Sequence, residues 1–230
     1  AQQTRPLWCV GDGGFTNRTV LKNLPENTIF LGRIRSDAKL HFLPQPPEGR
    51  TGRRRVYGEV APTPEQLRQD ESIPWEKISV WIGGKKHDLR VKTLGPLRWR
   101  AAGGGHNLKL IVIAPLCYRI STSGKHLYRR PAFLICTDPD ADTQALLQRY
   151  IMRWDIEVNF RDEKTLLGVG EAQVRDQYAV QNVTSTAVAA YALLLTAAQN
   201  SPPGNQAFSL PRPKWQRKKP NRATTQSLIQ

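Results

Sequence analysis

One stretch of the chain carries side chains whose types and spacing suit chemistry. Tyr150, Arg153, Glu157 and Lys164 stand at offsets of three, seven and fourteen residues from the tyrosine. At about 100° per residue, an α-helix would place all four within a stripe roughly 60° wide. Apolar residues flank that stripe, with Leu147, Ile151, Trp154 and Val158 on one side and Ile156, Phe160 and Leu167 on the other. The pattern predicts a helix packed on both sides, with a groove left open for a polar ligand. One carboxylate, two cations and a phenol in such a groove suit a divalent metal ion and phosphate oxygens. The bland reading is an i,i+4 surface ion pair between Arg153 and Glu157, with Tyr150 in the core. A second acid, Asp12, ends an apolar run at 7–10, inside Val10-Gly11-Asp12-Gly13-Gly14.

The elements that must position these groups follow from periodicity and punctuation. Residues 7–10 read as a short buried strand, 11–14 as a turn, 15–24 as a helix and 28–34 as a second strand. This order indicates an α/β layer. Residues 44–74 hold Pro44, Pro46, Pro47, Pro62 and Pro64 and the run Arg53-Arg54-Arg55. They read as an extended, solvated loop, either laid along a phosphate backbone or simply an exposed linker. Glycine-punctuated apolar runs at 79–82, 89–92, 108–113 and 132–136 predict antiparallel strands. Arg90 and Lys92, and Arg98 and Arg100 around Trp99, fall on alternate positions. That spacing suits a nucleic-acid face or the wet face of a sheet. Asp138 to Asp142 form an acidic helix start, matched to the helix dipole. A long helix is expected over about 143–167, ending at Gly168, and another over about 180–199. A basic, proline-rich tail follows.

Composition narrows the class of function. The chain has 230 residues, 39% of them hydrophobic and 23% charged, which excludes collagen-like and wholly disordered chains. Lys and Arg number 34 against 19 Asp and Glu, a net charge of +15. A surplus of that size points to a polyanionic partner, nucleic acid foremost, with acidic membranes and ribosomal RNA as alternatives. The charge is unevenly spread: residues 1–137 and 205–230 are basic, whereas 138–204 are net acidic. A plain basic binding module needs no acidic block, but an enzyme that works on DNA with carboxylates and metal ions does. Cys9, Cys117 and Cys136 show neither zinc-ligand spacing nor a paired framework. Their apolar neighbours predict reduced core residues and a reducing, cytosolic compartment. The apolar stretch at 187–198 is shorter than a bilayer span. Extending it back to 179 adds Gln181, Asn182, Thr184, Ser185 and Thr186, so a buried helix is expected. The chain opens with Ala1 and carries no signal-peptide pattern.

The full spelling from Tyr150 to Lys164 fits Y-x2-R-x3-E-x6-K with every spacing intact. Arg153-Trp154 stands before the glutamate, with Phe160-Arg161-Asp162, Leu167-Gly168 and Gln173-Val174-Arg175 after it. This resembles the signature of bacterial insertion-sequence transposases of the DDE type. The resemblance implies an α/β fold: a partial RNase H-like catalytic core, interrupted by an antiparallel β-rich insertion and completed by C-terminal helices. Its parts would be residues 1–44 and 138–204 for the core, 45–137 for the insertion and 205–230 for a basic tail. It implies Glu157 as the last catalytic carboxylate and Asp12 as the second, both metal ligands. Tyr150, Arg153 and Lys164 would contact DNA near the cut. The cofactor would be a pair of Mg²⁺ (or Mn²⁺) ions, and the reaction a metal-dependent phosphoryl transfer that cuts and joins DNA. Partners would be double-stranded DNA at element ends and target, and a second copy on paired ends, with no membrane. The setting would be a bacterial cytoplasm, at the nucleoid when DNA is bound. The family's first Asp has no match: the eleven residues before Asp12 hold no acid, and Asp37 follows the wrong strand. The expectation is an N-terminally truncated fragment with little or no activity alone. The alternatives are a non-catalytic DNA-binding remnant or another RNase H-like nuclease.

Overall fold

The computed structural model describes residues 5–45, 55–83, 85–102, 105–118 and 124–200. The expected basic tail at 205–230, and Arg53 and Arg54 of the arginine run, lie outside them. The chain divides into two units, Ala1–Arg153 and Trp154–Gln230.

The first unit is built on a mixed sheet. β1 (Leu7–Gly11) and β2 (Thr28–Arg33) pair in parallel, Leu7 opposite Thr28 through Gly11 opposite Gly32. A parallel pair needs a crossover. α1 (Arg18–Lys22) lies within it, capped by the Asn17 side chain on the Val20 amide at 3.1 Å. The helix is shorter than the expected 15–24, because Asn17 and Asn23 cap it at each end. β3 (Leu40–Phe42), β4 (Glu76–Ile82), β5 (Lys85–Trp99), β6 (Leu108–Ile113) and β9 (Ala132–Cys136) complete the sheet. Its order is β1-β2-β9-β6-β5-β3, with β4 along the first half of β5. All pairings except β1–β2 are antiparallel. A separate ribbon joins β7 (Cys117–Tyr118) and β8 (Leu127–Tyr128). The antiparallel strands read from the sequence all form. Leu31 pairs with Cys136, so residues before and after position 45 share one sheet.

Two-residue periodicity sorts the core onto the sheet's two faces. Leu110, Val112 and Ile135 join Phe30, Leu40 and Leu97 beneath α1 and α2 (Pro64–Gln69). Ile111, Leu134 and Cys136 join Val80 and Val91 against Leu146 and Leu147 of α3 (Thr143–Met152). Asp142 caps α3 through the Ala145 amide at 2.7 Å, as the acidic start predicted. Gln148 lies flat against β4, accepting from the Trp81 amide at 2.8 Å and donating to its carbonyl at 3.1 Å. One side-chain amide thus stands in for a neighbouring strand at that point.

Several sequence expectations are corrected. α2 lies inside the span read as a loop. Thr63 and Gln66 form a reciprocal capping box, with Pro64 at the first turn, and that nucleates a helix despite the prolines. β1 is not buried: it is the first strand of the sheet, and Leu7 is 61% exposed. Cys136 is buried, but Cys9, on the first strand of the sheet, and Cys117, on the separate ribbon, are exposed. Lys92 belongs to neither a wet nor a nucleic-acid face. It is buried, and its Nζ donates to the carbonyls of Leu67, Arg68 and Asp70 at 3.2, 3.2 and 2.5 Å, capping the C-terminus of α2.

The second unit holds α4 (Asp155–Leu166) and α5 (Gln177–Asn200). Tyr191 Oη donates to Asn159 Oδ1 at 3.1 Å, and Gly168 ends α4 with φ +65°. Among the unit's described residues only Asp162 and Tyr191 are buried. The buried helix expected over 180–199 is therefore an exposed one. Gln177–Ala197, weakly apolar at a mean hydropathy of 1.2, is long and apolar enough by length and composition to cross a membrane.

Candidate functional site

Asp12 stands at the carboxyl end of β1, where the chain leaves the sheet. Its Oδ1 accepts the Gly14 amide at 2.9 Å, and its carbonyl accepts the Thr16 hydroxyl at 2.9 Å. These bonds fold the turn back on itself and leave the carboxylate exposed. Gly32, on the adjacent strand, leaves room for this turn: a Cβ there would collide with the Thr16 hydroxyl and the Phe30 ring. The carboxyl ends of parallel strands are where open α/β sheets present ligand groups. Asp12 is therefore well placed to meet a ligand.

The helical stripe is only partly realised. The long helix expected over 143–167 is two helices, divided at Arg153-Trp154. The amides of Glu157 and Val158 both return to the Trp154 carbonyl, at 3.0 and 3.2 Å, and Trp154 has no side-chain cap. Asp155 and Glu157 occupy the first turn of α4, where negative charge favours a new helix start over continuation. Tyr150 and Arg153 remain with α3, in the first unit. There they are brought together, the Arg153 Cζ lying 5.8 Å from the Tyr150 ring centroid. Glu157 and Lys164 belong to α4, in the second unit. Seven residues apart, they keep one helical face, and both are exposed. The apolar flanks expected to be packed are open on α4, with Ile156 and Phe160 both more than half exposed.

Among the described residues no group of three or more His, Cys, Asp or Glu gathers as a metal site. Asp12 and Glu157 fit a hard divalent cation in donor type, since carboxylate oxygens are what Mg²⁺ takes. They do not fit it in number, and Asp12 already commits one oxygen to the Gly14 amide. No chemical step is therefore assigned to a metal here.

Two arginines that the sequence reading did not single out stand near Asp12. Arg33 ends β2, and Arg130 lies just before β9. Since Gly11 is opposite Gly32, the chain brings Asp12 level with Arg33. The signal was the alternation Gly32-Arg33-Ile34-Arg35, a basic set at a strand end. No protein-family model matches the chain, and comparison with curated proteins finds no match.

Proposed function

We propose that this chain is the C-terminal part of a DDE-type transposase that acts on DNA by phosphoryl transfer, with Asp12 and Glu157 as two of its carboxylates. The observation that carries the reading is the intact Y-x2-R-x3-E-x6-K spelling at Tyr150, Arg153, Glu157 and Lys164. The exposed acid Asp12 at the carboxyl end of a parallel strand supports it. The net charge of +15 supports a polyanionic substrate. The RNase H-like assignment rests on the same spelling. In this reading Arg153 and Lys164 bind DNA phosphates, and Tyr150 orients Arg153 through its ring. With two of three carboxylates matched, the 230-residue chain cuts DNA weakly or not at all by itself.

Manganese binding, followed by electron paramagnetic resonance, tests this directly. Asp12→Ala and Glu157→Ala should each weaken Mn²⁺ binding by the chain. If neither substitution changes Mn²⁺ binding, the assignment of both acids falls. Brisk Mg²⁺-dependent plasmid nicking that survives Glu157→Ala would assign the chain to another nuclease class.

A further inference from the structure

A cleft of about 650 Å³ opens beside the Asp12 turn, with Gly13 at its edge and Arg33, Arg35, Arg130 and Trp99 around it. Its place follows from register. The β1–β2 pairing ends with Gly11 opposite Gly32, and Ile34 donates its amide to the Phe133 carbonyl at 2.9 Å. The end of β2 and the approach to β9 therefore meet at one end of the sheet. Ile34 and Phe133 are buried and line the cleft with apolar surface, while Trp99 is half-buried.

Charge pairing decides what the cleft can hold. Two acids also line it, Asp37 and Glu65. Asp37 is clasped by Arg35, Nε to Oδ1 at 2.9 Å and Nη2 to Oδ2 at 3.0 Å, which holds its carboxyl below the usual range. Glu65 is held by Arg68, from outside the cleft, at 2.6 Å, and its carboxyl is likewise lowered. Both acids are thus neutralised by partners other than Arg33 and Arg130. Among the described residues, no hydrogen bond or ion pair engages the Arg33 or Arg130 side chain. Two exposed guanidiniums without carboxylates, at the rim of a cleft with apolar walls, form a site for an anion with several oxygens.

We infer that this cleft binds a backbone phosphate of a nucleic-acid strand through Arg33 and Arg130, and so leads that strand past Asp12. The inference deepens the proposed function and rests on it only in taking DNA as the strand. The cleft is open, not enclosed, and the chain is strongly basic. Both features suit a continuous polyanion better than a small free phosphate.

The test uses the full chain in EDTA, so that it does not depend on metal or on cutting. Binding of a fluorescein-labelled DNA duplex is followed by anisotropy across a salt series. Arg33→Gln with Arg130→Gln should weaken binding about tenfold or more and lower the salt slope by about two ions. The control pair Lys85→Gln with Lys86→Gln removes the same charge at the β4–β5 turn and should weaken binding no more than about threefold. Arg33→Lys with Arg130→Lys should retain most of the affinity, and circular dichroism confirms that each variant folds. Equal losses in the two Gln pairs would reduce the effect to net charge and overturn the inference. Isothermal titration with inorganic phosphate separates the sources. Tight phosphate binding lost in the Arg33/Arg130 pair, with DNA affinity unchanged, would assign the cleft to a free anion and overturn the nucleic-acid claim. If Mn²⁺ binding fails while the Arg33/Arg130 effect holds, the transposase reading falls and this site stands.

Discussion

The two units of this chain hold similar proportions of apolar residues and use them in opposite ways. In the first, strands far apart in sequence bring Leu110, Ile111, Leu134 and Ile135 to zero exposure. In the second, Phe160 of α4 is 58% exposed and Leu193 of α5 is 71% exposed. Local amphipathic pattern is present in both, but among the described residues only the first unit supplies a second layer to cover it. The difference teaches that burial is a property of pairing at long range, which a single helix cannot guarantee. Leu110→Ala should lower the unfolding free energy by about 2–5 kcal/mol in urea titrations, through lost transfer energy and a residual cavity. Leu193→Ala should change it by no more than about 0.5 kcal/mol. A Leu193→Ala cost matching that of Leu110→Ala would break the contrast, showing that the α5 face is covered in solution.

Basic residues sharpen the same contrast. Lys92 sits in the first unit, buried, with three carbonyls at its ammonium and the Trp75 ring centroid 4.6 Å away. Lys92→Met should cost about 2–4 kcal/mol, because the carbonyls ending α2 lose their donor inside the protein. Lys164→Met, on an exposed face of α4, should leave stability within about 0.5 kcal/mol. Thermal unfolding of the two variants reads the difference. A Lys92→Met protein as stable as the parent would mean that water reaches those carbonyls.

What could be read in advance follows the same division. The strands 79–82, 89–92, 108–113 and 132–136 were legible because apolar runs between glycines have few other solutions. The exposed Asp12 turn was legible from Gly11-Asp12-Gly13-Gly14. The capping box at Thr63 and Gln66 was equally legible, but the surrounding prolines hid it. The break at Arg153-Trp154 was not legible: no glycine or proline marks it, and only the acids Asp155 and Glu157 hint at a new start. Lys92 misled because alternation fixes which face a side chain takes, not whether a helix will cover that face. The cleft of Arg33 and Arg130 needed the β2–β9 pairing, which joins residues about a hundred positions apart.

Cross-element hydrogen bonds give a smaller contrast. Gln148→Ala removes two bonds to the Trp81 backbone and should cost about 1–2 kcal/mol. Tyr191→Phe removes one bond, to Asn159, and should cost about 0.5–1.5 kcal/mol. Amide exchange distinguishes the two further. Gln148→Ala should speed exchange at Trp81, whose amide loses its acceptor, while Tyr191→Phe leaves that amide unchanged. Unaltered protection at Trp81 in Gln148→Ala would mean that the side-chain amide is not its partner in solution.

The smallest expected effect concerns acid. Glu65 is held by Arg68 and accepts from Gln69 at 2.8 Å, which lowers its carboxyl below the ordinary value of 4.5. A depressed carboxyl adds stability that is fully present above 4.5 and is lost as pH falls through its folded value. The pair is partly exposed, with side chains at 28% and 36%, so solvent screening holds its worth to a few tenths of a kcal/mol, about the level of other helix-surface pairs. Glu65→Gln should therefore lower the melting temperature by about a degree at pH 7 and by less at about pH 3, below the unfolded value, where Glu65 begins to take up its proton. Melting curves at the two pH values decide it. An equal loss at both would show that shape and hydrogen bonding at the α2 surface, not the charge of Glu65, hold Arg68 in place. The acids of the Arg33–Arg130 cleft would then need to be paired by some other means for its two guanidiniums to stay uncompensated.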